Sequence, residues 1–360
     1  MYLSQNRLAM VICIAAALLS GGGAEAADRP LAALQQPAVK TPSAFHSAML
    51  TVARAGNRLV AGGERGVILL SDDNGSTWQQ ADTPVRVTVT EMVFVNDKLG
   101  WAIGHLGVIL RTVDGGKTWQ KQMDGVQAAA LFTKAASNIQ DPARAPAAQQ
   151  YAKLLVDDGP DKPWLGVHFS DMQNGIVVGA YNLAMVTADG GATWRPLSFD
   201  LPNSKSLHLY GVAARGAELL IYGEQGLLLR SLDGGATFAA VASPYKGTWF
   251  GVLPLANGWL AYGLRGNAFV SNAEDSGWTA VKTGQTASIT AALHLSGSRV
   301  MLVSQTGELL IGKAGTGTFE SRGLSVGAAA ADAAEAADGT VIVATLRGMV
   351  RVPVNGAAAR

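Results

Sequence analysis

Short apolar runs alternate with turn residues along most of this chain, and the alternation itself repeats. Between residues 91 and 122, the runs EMVFV (91–95), GWAIG (100–104), VILRTV (108–113) and TWQKQ (118–122) are separated by Asn, Asp and Gly. Apolar and β-branched runs bounded in this way read as strands. The same order recurs in LVAGGERGVILLSDDNGSTW (59–78), WAIGHLGVILRTVDGGKTW (101–119), IVVGAYNLAMVTADGGATW (176–194) and LLIYGEQGLLLRSLDGGATF (219–238). Weaker copies follow at 259–278 and 300–319, and a last fragment, VIVATLRGMVRV, at 341–352. The fourth position of each GxxG turn falls at Gly66, Gly107, Asn182, Gly226, Gly266, Gly307 and Gly348, in steps of 41, 75, 44, 40, 41 and 41 residues. The one long step equals a repeat plus an insertion of about 33 residues, so the pattern predicts seven units.

Four short antiparallel strands at a period of about 40 residues predict an all-β chain, a seven-bladed β-propeller of four-stranded blades. One blade cannot bury both of its faces alone, whereas a closed ring covers every face. The seventh unit ends after its third strand. The segment LAALQQPAVKTP (31–42) is therefore expected to supply the missing strand: residues near 34–40 should pair with the last blade and close the ring, leaving no open edge. This assigns 27–43 to closure and 44–360 to the propeller.

Within the long step, at about 124–162, the period changes. VQAAALFTKAASNIQ (126–140) places Leu131, Ala135 and Ile139 at four-residue spacing, and AAQQYAKLLVDD (147–158) carries Tyr151, Leu154 and Leu155. Both stretches read as helices. They predict a helical hairpin between blades 2 and 3 that either caps one face or offers a partner-binding element.

The first 26 residues read as a secretory signal. Arg7 precedes an apolar stretch from Leu8 to Ser20, and AEA (24–26) supplies the small residues of a cleavage site. The apolar stretch is shorter than the ~20 residues of a spanning helix. The expected product is exported, periplasmic or secreted, with no membrane span. Cys13 is the only cysteine and lies in this segment, which excludes disulfides and thiolate chemistry from the mature chain. A net charge of +1 gives no electrostatic case for nucleic acid. A monomer is expected.

SDDNGSTW (71–78), TVDGGKTW (112–119), TADGGATW (187–194) and SLDGGATF (231–238) lie between third and fourth strands. Asp73, Asp114, Asp189 and Asp233 each stand in a different blade and cannot converge on one substrate. They read as structural turn residues whose carboxylates accept backbone N–H groups. One Asp per turn is too few oxygens for Ca²⁺. The SxDxGxTW pattern resembles the Asp-box of bacterial neuraminidase repeats. The fuller GWAIGHLGVILRTVDGGKTW is similar to the photosystem II stability/assembly factor family of seven-bladed propellers. The resemblance covers about residues 44–352 and is strongest in blades 1 to 4, while Ala273 and Ala314 replace the Asp in blades 5 and 6.

Catalytic constellations are missing. His46, His105, His168, His208 and His294 fall at different phases of the repeat and make no metal-ligand spacing, and no GxSxG elbow occurs. No cofactor or metal is expected. A sialidase-like glycoside hydrolase needs an arginine cluster with a Tyr/Glu pair. Arg54 and Arg58 are the nearest arginines, and nothing pairs Glu91 with Tyr210. The alternative readings are such a hydrolase or a carbohydrate-binding propeller. The favoured one is a non-catalytic scaffold that binds a protein partner.

The face for that partner follows from the topology. Turns between second and third strands share a face with the links between blades. The turns present Glu64-Arg65, His105-Leu106, Tyr181-Asn182, Glu224-Gln225, Leu264-Arg265, Gln305-Thr306 and Leu346-Arg347. Trp164, Tyr210 and Trp249 each precede a GV that begins a first strand, and are expected to ring the channel mouth beside His105. The family resemblance implies docking of a membrane protein complex, or of its assembly intermediate, through an arginine patch. Arg65, Arg265 and Arg347 are its counterparts here.

Overall fold

A computed structural model describes residues 32–272, 277–313 and 317–354. The expected signal segment 1–26, with Cys13, lies outside these residues, as do Ala273 and Ala314. The chain forms seven antiparallel sheets, each a blade whose strands follow one another in sequence order. The innermost strands are Met49–Ala55, Val89–Phe94, Trp164–Phe169, Leu209–Arg215, Trp249–Leu255, Ile289–Leu295 and Ala330–Glu335. Each contacts the inner strand of the next blade, and the seventh contacts the first, so the ring closes. Second strands such as Gly100–Gly104 and Gly175–Gly179 are buried at every residue, because neighbouring blades cover both of their faces.

The ring does not close as the sequence reading expected. Blade 7 has three strands among the described residues, and 34–40 contains none. That segment lies instead against blades 1 and 2. Ala38 N–H donates to Thr83 O and Arg86 N–H to Ala33 O, while Leu34 is buried with Val60, Val85 and Trp119. Pro37 has no N–H to give a ladder, and the apolar pocket between blades 1 and 2 takes Leu34. The seam between blades 7 and 1 is made by side chains. Met49, Leu59 and Leu69 share a core with Ala336, Ile342 and Ala344. Arg351 Nε donates to Asn74 O at 3.1 Å, and Val52 N–H donates to Asp332 Oδ2 at 2.9 Å.

The four good Asp-boxes are built alike. Asp73 accepts the Thr77 N–H and hydroxyl and the Ser71 hydroxyl, at 2.6–2.9 Å, and Gly75 N–H donates to Ser71 Oγ. Asp114, Asp189 and Asp233 repeat the set with Thr118, Thr193 and Thr237. These bonds favour the carboxylate: led by the threonine hydroxyl, they hold Asp73 and Asp233 down to about 2. The braced turns also receive the preceding blade, since Trp101 Nε1 donates to Gly190 O and Arg58 Nη1 to Gly115 O.

The helices are α1 (Gly125–Ser137) and α2 (Ala145–Asp157). Asp124 and Gln127 form a capping box at the start of α1. Ala128, Phe132 and Ala136 are its buried stripe, one position away from the expected Leu131–Ala135–Ile139. Phe132 sets the rotation: its ring is fully buried between Tyr151 and Phe199, and Leu131 and Ile139 pack at the margin. In α2, Leu155 is buried while Leu154 is exposed.

Candidate partner-binding face

The turns between second and third strands are tied to the inter-blade links in all seven blades. The N–H groups of Glu64, His105, Ala180, Glu224, Leu264, Gln305 and Leu346 donate to the carbonyls of Ala48, Thr88, Pro163, His208, Thr248, Ser288 and Ala329, at 2.7–3.1 Å. Each acceptor immediately precedes an inner strand. Turns and links therefore make one rigid surface, opposite the Asp-boxes. In blades 1 to 5 the residue before each acceptor-bound turn is a glycine. A Cβ on Gly104 would lie 2.1 Å from Thr88 O, so only glycine permits the approach.

The turn also sets its outermost side chain. Arg65, Leu106, Tyr181, Gln225 and Arg265 all have φ between 52° and 57°, followed by a second left-handed residue at Gly66, Gly107, Asn182, Gly226 and Gly266. In blade 3, Asn182 takes the glycine place and is held by Ser198 O and Asn203. Arg65, Arg265, Arg347 and His105 are exposed on this face.

Two expected surface aromatics are not there. Trp164 and Trp249 are 0 % exposed. Trp164 Nε1 donates to Gly107 O at 2.9 Å, and Trp249 packs between Tyr245, Phe269 and Trp278. The register explains the correction. WLGV, LYGV and WFGV align so that Trp164, Leu209 and Trp249 are the first residues of their strands, while Leu165, Tyr210 and Phe250 are the next. One step along a strand reverses the side a residue faces. Tyr210 alone of the three is half-exposed, and its ring meets Phe250 edge-on at 5.7 Å. Phe250, which sequence reading passed over, belongs with it.

The helical hairpin covers part of this face. Tyr151 Oη donates to Tyr181 O at 3.0 Å, and Arg144 pairs with Asp200 on the link after blade 3. The hairpin leaves a groove of about 550 Å³ lined by Ile139, Arg144, Tyr151, Phe199 and Pro202.

The charges on the face are unequally engaged. Glu64 accepts Ala48 N–H, Glu224 accepts His208 N–H, and Glu308 accepts from Gln285. Asp158 and Asp161 hold Lys162, and Asp200 holds Arg144. By contrast, the side chains of Arg65, Arg265, Arg347, Lys205 and Lys246 have no ion-pair or hydrogen-bond partner among the described residues. Lys205 and Lys246 stand in links, where no repeat signature marks them in the sequence.

Glu91, weighed in the sequence as half of a hydrolase pair with Tyr210, accepts Val167 N–H at 2.7 Å. No arginine bonds to it among the described residues. Burial pushes its carboxyl up to about 8, which is opposite to what a nucleophile needs.

A family model described as Photosynthesis system II assembly factor YCF48 matches residues 70–137 and 148–248. Photosystem II assembly lipoprotein Ycf48 of Synechococcus sp. (strain CC9902) is 41% identical over 71 residues, 20% of this chain and 21% of that protein. The protein of the same name from Prochlorococcus marinus (strain NATL2A) is 40% identical over 64 residues, 18% of this chain and 19% of that protein. The matched stretches thus span about a fifth of the length of these curated relatives. Two solved structures share the fold. YCF48 bound to D1 peptide has a TM-score of 0.63 at 13% identity, covering 89% of this chain and 97% of that one. YCF48 from Cyanidioschyzon merolae has a TM-score of 0.61 at 16% identity, covering 86% and 96%.

Proposed function

From the premise that this chain is a photosystem II assembly factor-like β-propeller, we propose that it is an exported, non-catalytic scaffold. Its surface of turns and links docks a membrane protein complex or an assembly intermediate of one. The observation that carries this reading is the charge asymmetry of that face. Every acid named there is engaged within the protein, whereas Arg65, Arg265, Arg347, Lys205 and Lys246 are free to meet a partner. Unpaired arginines on a rigid surface, beside the half-exposed Tyr210, have the chemistry of binding hot spots. The relatives named as assembly lipoproteins, and a relative solved with a D1 peptide, support a protein client over a sugar.

The test is affinity capture of membrane proteins by the wild type and by the triple variant Arg65→Glu/Arg265→Glu/Arg347→Glu. The expected result is one membrane-complex subunit retained by the wild type and lost by the variant, with unchanged melting. Equal capture by both proteins, or cleavage of a sialoside by the wild type, overturns the reading.

A further inference from the structure

The axis of the propeller holds a set of polar groups that the docking face does not use. Each inner strand has an irregularity near its start, at Leu50, Thr90, Leu165, Tyr210, Phe250, Thr290 and Ala331, and these seven residues are all half-buried. Four of them are bulky and apolar or aromatic. Thr90 and Thr290 spend their hydroxyls on Trp164 O and Ala330 O of the next blade. The mouth at the docking face is therefore mainly apolar.

One residue deeper, the equivalent positions are Thr51, Glu91, Gly166, Gly211, Gly251, Ala291 and Asp332. Two are acids and five are small. The glycines make room for tyrosines from the second strands. Tyr222 is paired with Gly211 and Tyr262 with Gly251, and a Cβ on either glycine would fall 2.0–2.1 Å from the phenol oxygen. Both tyrosines thus reach across the face of the inner strand, over its glycine, toward the axis.

Glu91 of blade 2 and Asp332 of blade 7 stand at the same level of their inner strands as Gly211 and Gly251, over which the tyrosines of blades 4 and 5 lie, so the four groups surround one level of the axis. Their bonding differs. Asp332 accepts Val52 and Ala333 N–H, and Glu91 accepts Val167 N–H through Oε2. Tyr222, 9 % exposed, has no hydrogen-bond partner among the described residues, and Glu91 Oε1 has none either. Neither oxygen is among the fully enclosed atoms that lack a partner, and Glu91 and Asp332 are half-buried, so these groups are open to a ligand.

We propose that the axial channel is a binding site for a primary alkylammonium, with the charged head among Glu91, Asp332 and Tyr222 and the aliphatic stem in the apolar mouth. An ammonium brings three N–H donors and no acceptor, which matches a free carboxyl oxygen, a second carboxylate and an unpartnered phenol. A divalent metal fits less well, because two carboxylates supply too few of the oxygens it takes. Burial and the nearby Asp332 disfavour the Glu91 anion, and a bound cation offsets both. The head group belongs to a free amine or to a lysine side chain of a docked protein. The inference does not rest on the client proposed above.

The test is calorimetric titration of the full chain with n-butylammonium and with Nα-acetyl-lysine methylamide, using n-butanol and Ca²⁺ as controls. Glu91→Gln keeps the acceptor for Val167 N–H but removes the charge, and Tyr222→Phe keeps the ring over Gly211. Saturable binding is expected, weakened about tenfold or more by Glu91→Gln and about threefold or more by Tyr222→Phe, in variants that remain folded with the circular dichroism of the wild type. Binding of both amines indicates a lysine or a free amine; binding of n-butylammonium alone indicates a free amine. Absence of saturable amine binding, equal binding by both variants, equal binding of n-butanol, or tighter binding of Ca²⁺ overturns it.

Discussion

Asp332, in the last blade, accepts the main-chain N–H of Val52, in the first, at 2.9 Å. The bond crosses the seam where the two ends of the propeller meet, and it joins residues 280 positions apart. With the apolar contacts of Met49 and Ile342 it does the work that a shared strand was expected to do.

Asp332→Ala removes the acceptor and leaves the N–H of the buried Val52 without its partner. A loss of about 1–3 kcal/mol is expected, read from the urea midpoint at pH 7. Deleting residues 32–40 should instead disturb blades 1 and 2, where Leu34 is buried, and leave the seam intact. Hydrogen exchange at Val52 distinguishes the two variants.

Glu91 supplies a pH test. Its carboxyl rises from 4.5 to about 8 in the folded protein. The folded state therefore holds the proton more tightly than the unfolded state. Stability due to this group is fully present below about pH 4.5 and is lost as the pH rises toward 8. Glu91→Gln removes that dependence, so the stability of the variant relative to wild type should increase between pH 5 and 8, as followed by urea midpoints.

The Asp-boxes have the opposite sign. Asp73 and Asp233 fall from 3.8 to about 2, chiefly through the hydroxyls of Thr77 and Thr237. Their contribution is present above pH 4 and disappears as the pH drops toward 2. Asp73→Asn/Asp233→Asn should lower the melting temperature at pH 7 and flatten its fall between pH 4 and 2. An unchanged acid profile in the double variant contradicts the bracing role.

Trp164 separates packing from binding. It is fully buried and bonded to Gly107 O, so Trp164→Ala should cost about 3–5 kcal/mol of stability. Tyr210→Ala, at a half-exposed ring, should cost less and act mainly on binding at the channel mouth. Guanidinium unfolding of both variants checks the order.

Much of the architecture was legible because a propeller writes its period into the chain. The spacing from Gly66 to Gly348 marked seven units, and the strands fall inside them. The site was less legible. Arg65, Arg265 and Arg347 lie in turns that the repeat identifies, but Lys205 and Lys246 lie in links of irregular length. Trp164 and Tyr210 look equivalent before a GV, yet they differ by one strand position, and only the pairing register shows which faces the channel.

The sequence by itself determined the number of blades, the braced turns and the face that carries the links, because each follows from local periodicity and turn chemistry. Only the tertiary structure decided how the ring closes and what meets on its axis. Glu91, Tyr222, Tyr262 and Asp332 lie in four different blades, with no spacing in common. Closure depends on the packing of Met49, Leu59 and Leu69 against Ala336, Ile342 and Ala344 and on the bond from Val52 to Asp332, and the axial cluster depends on tyrosines lying across glycines of the neighbouring strand. Both are contacts between distant segments, and a one-dimensional repeat does not encode them.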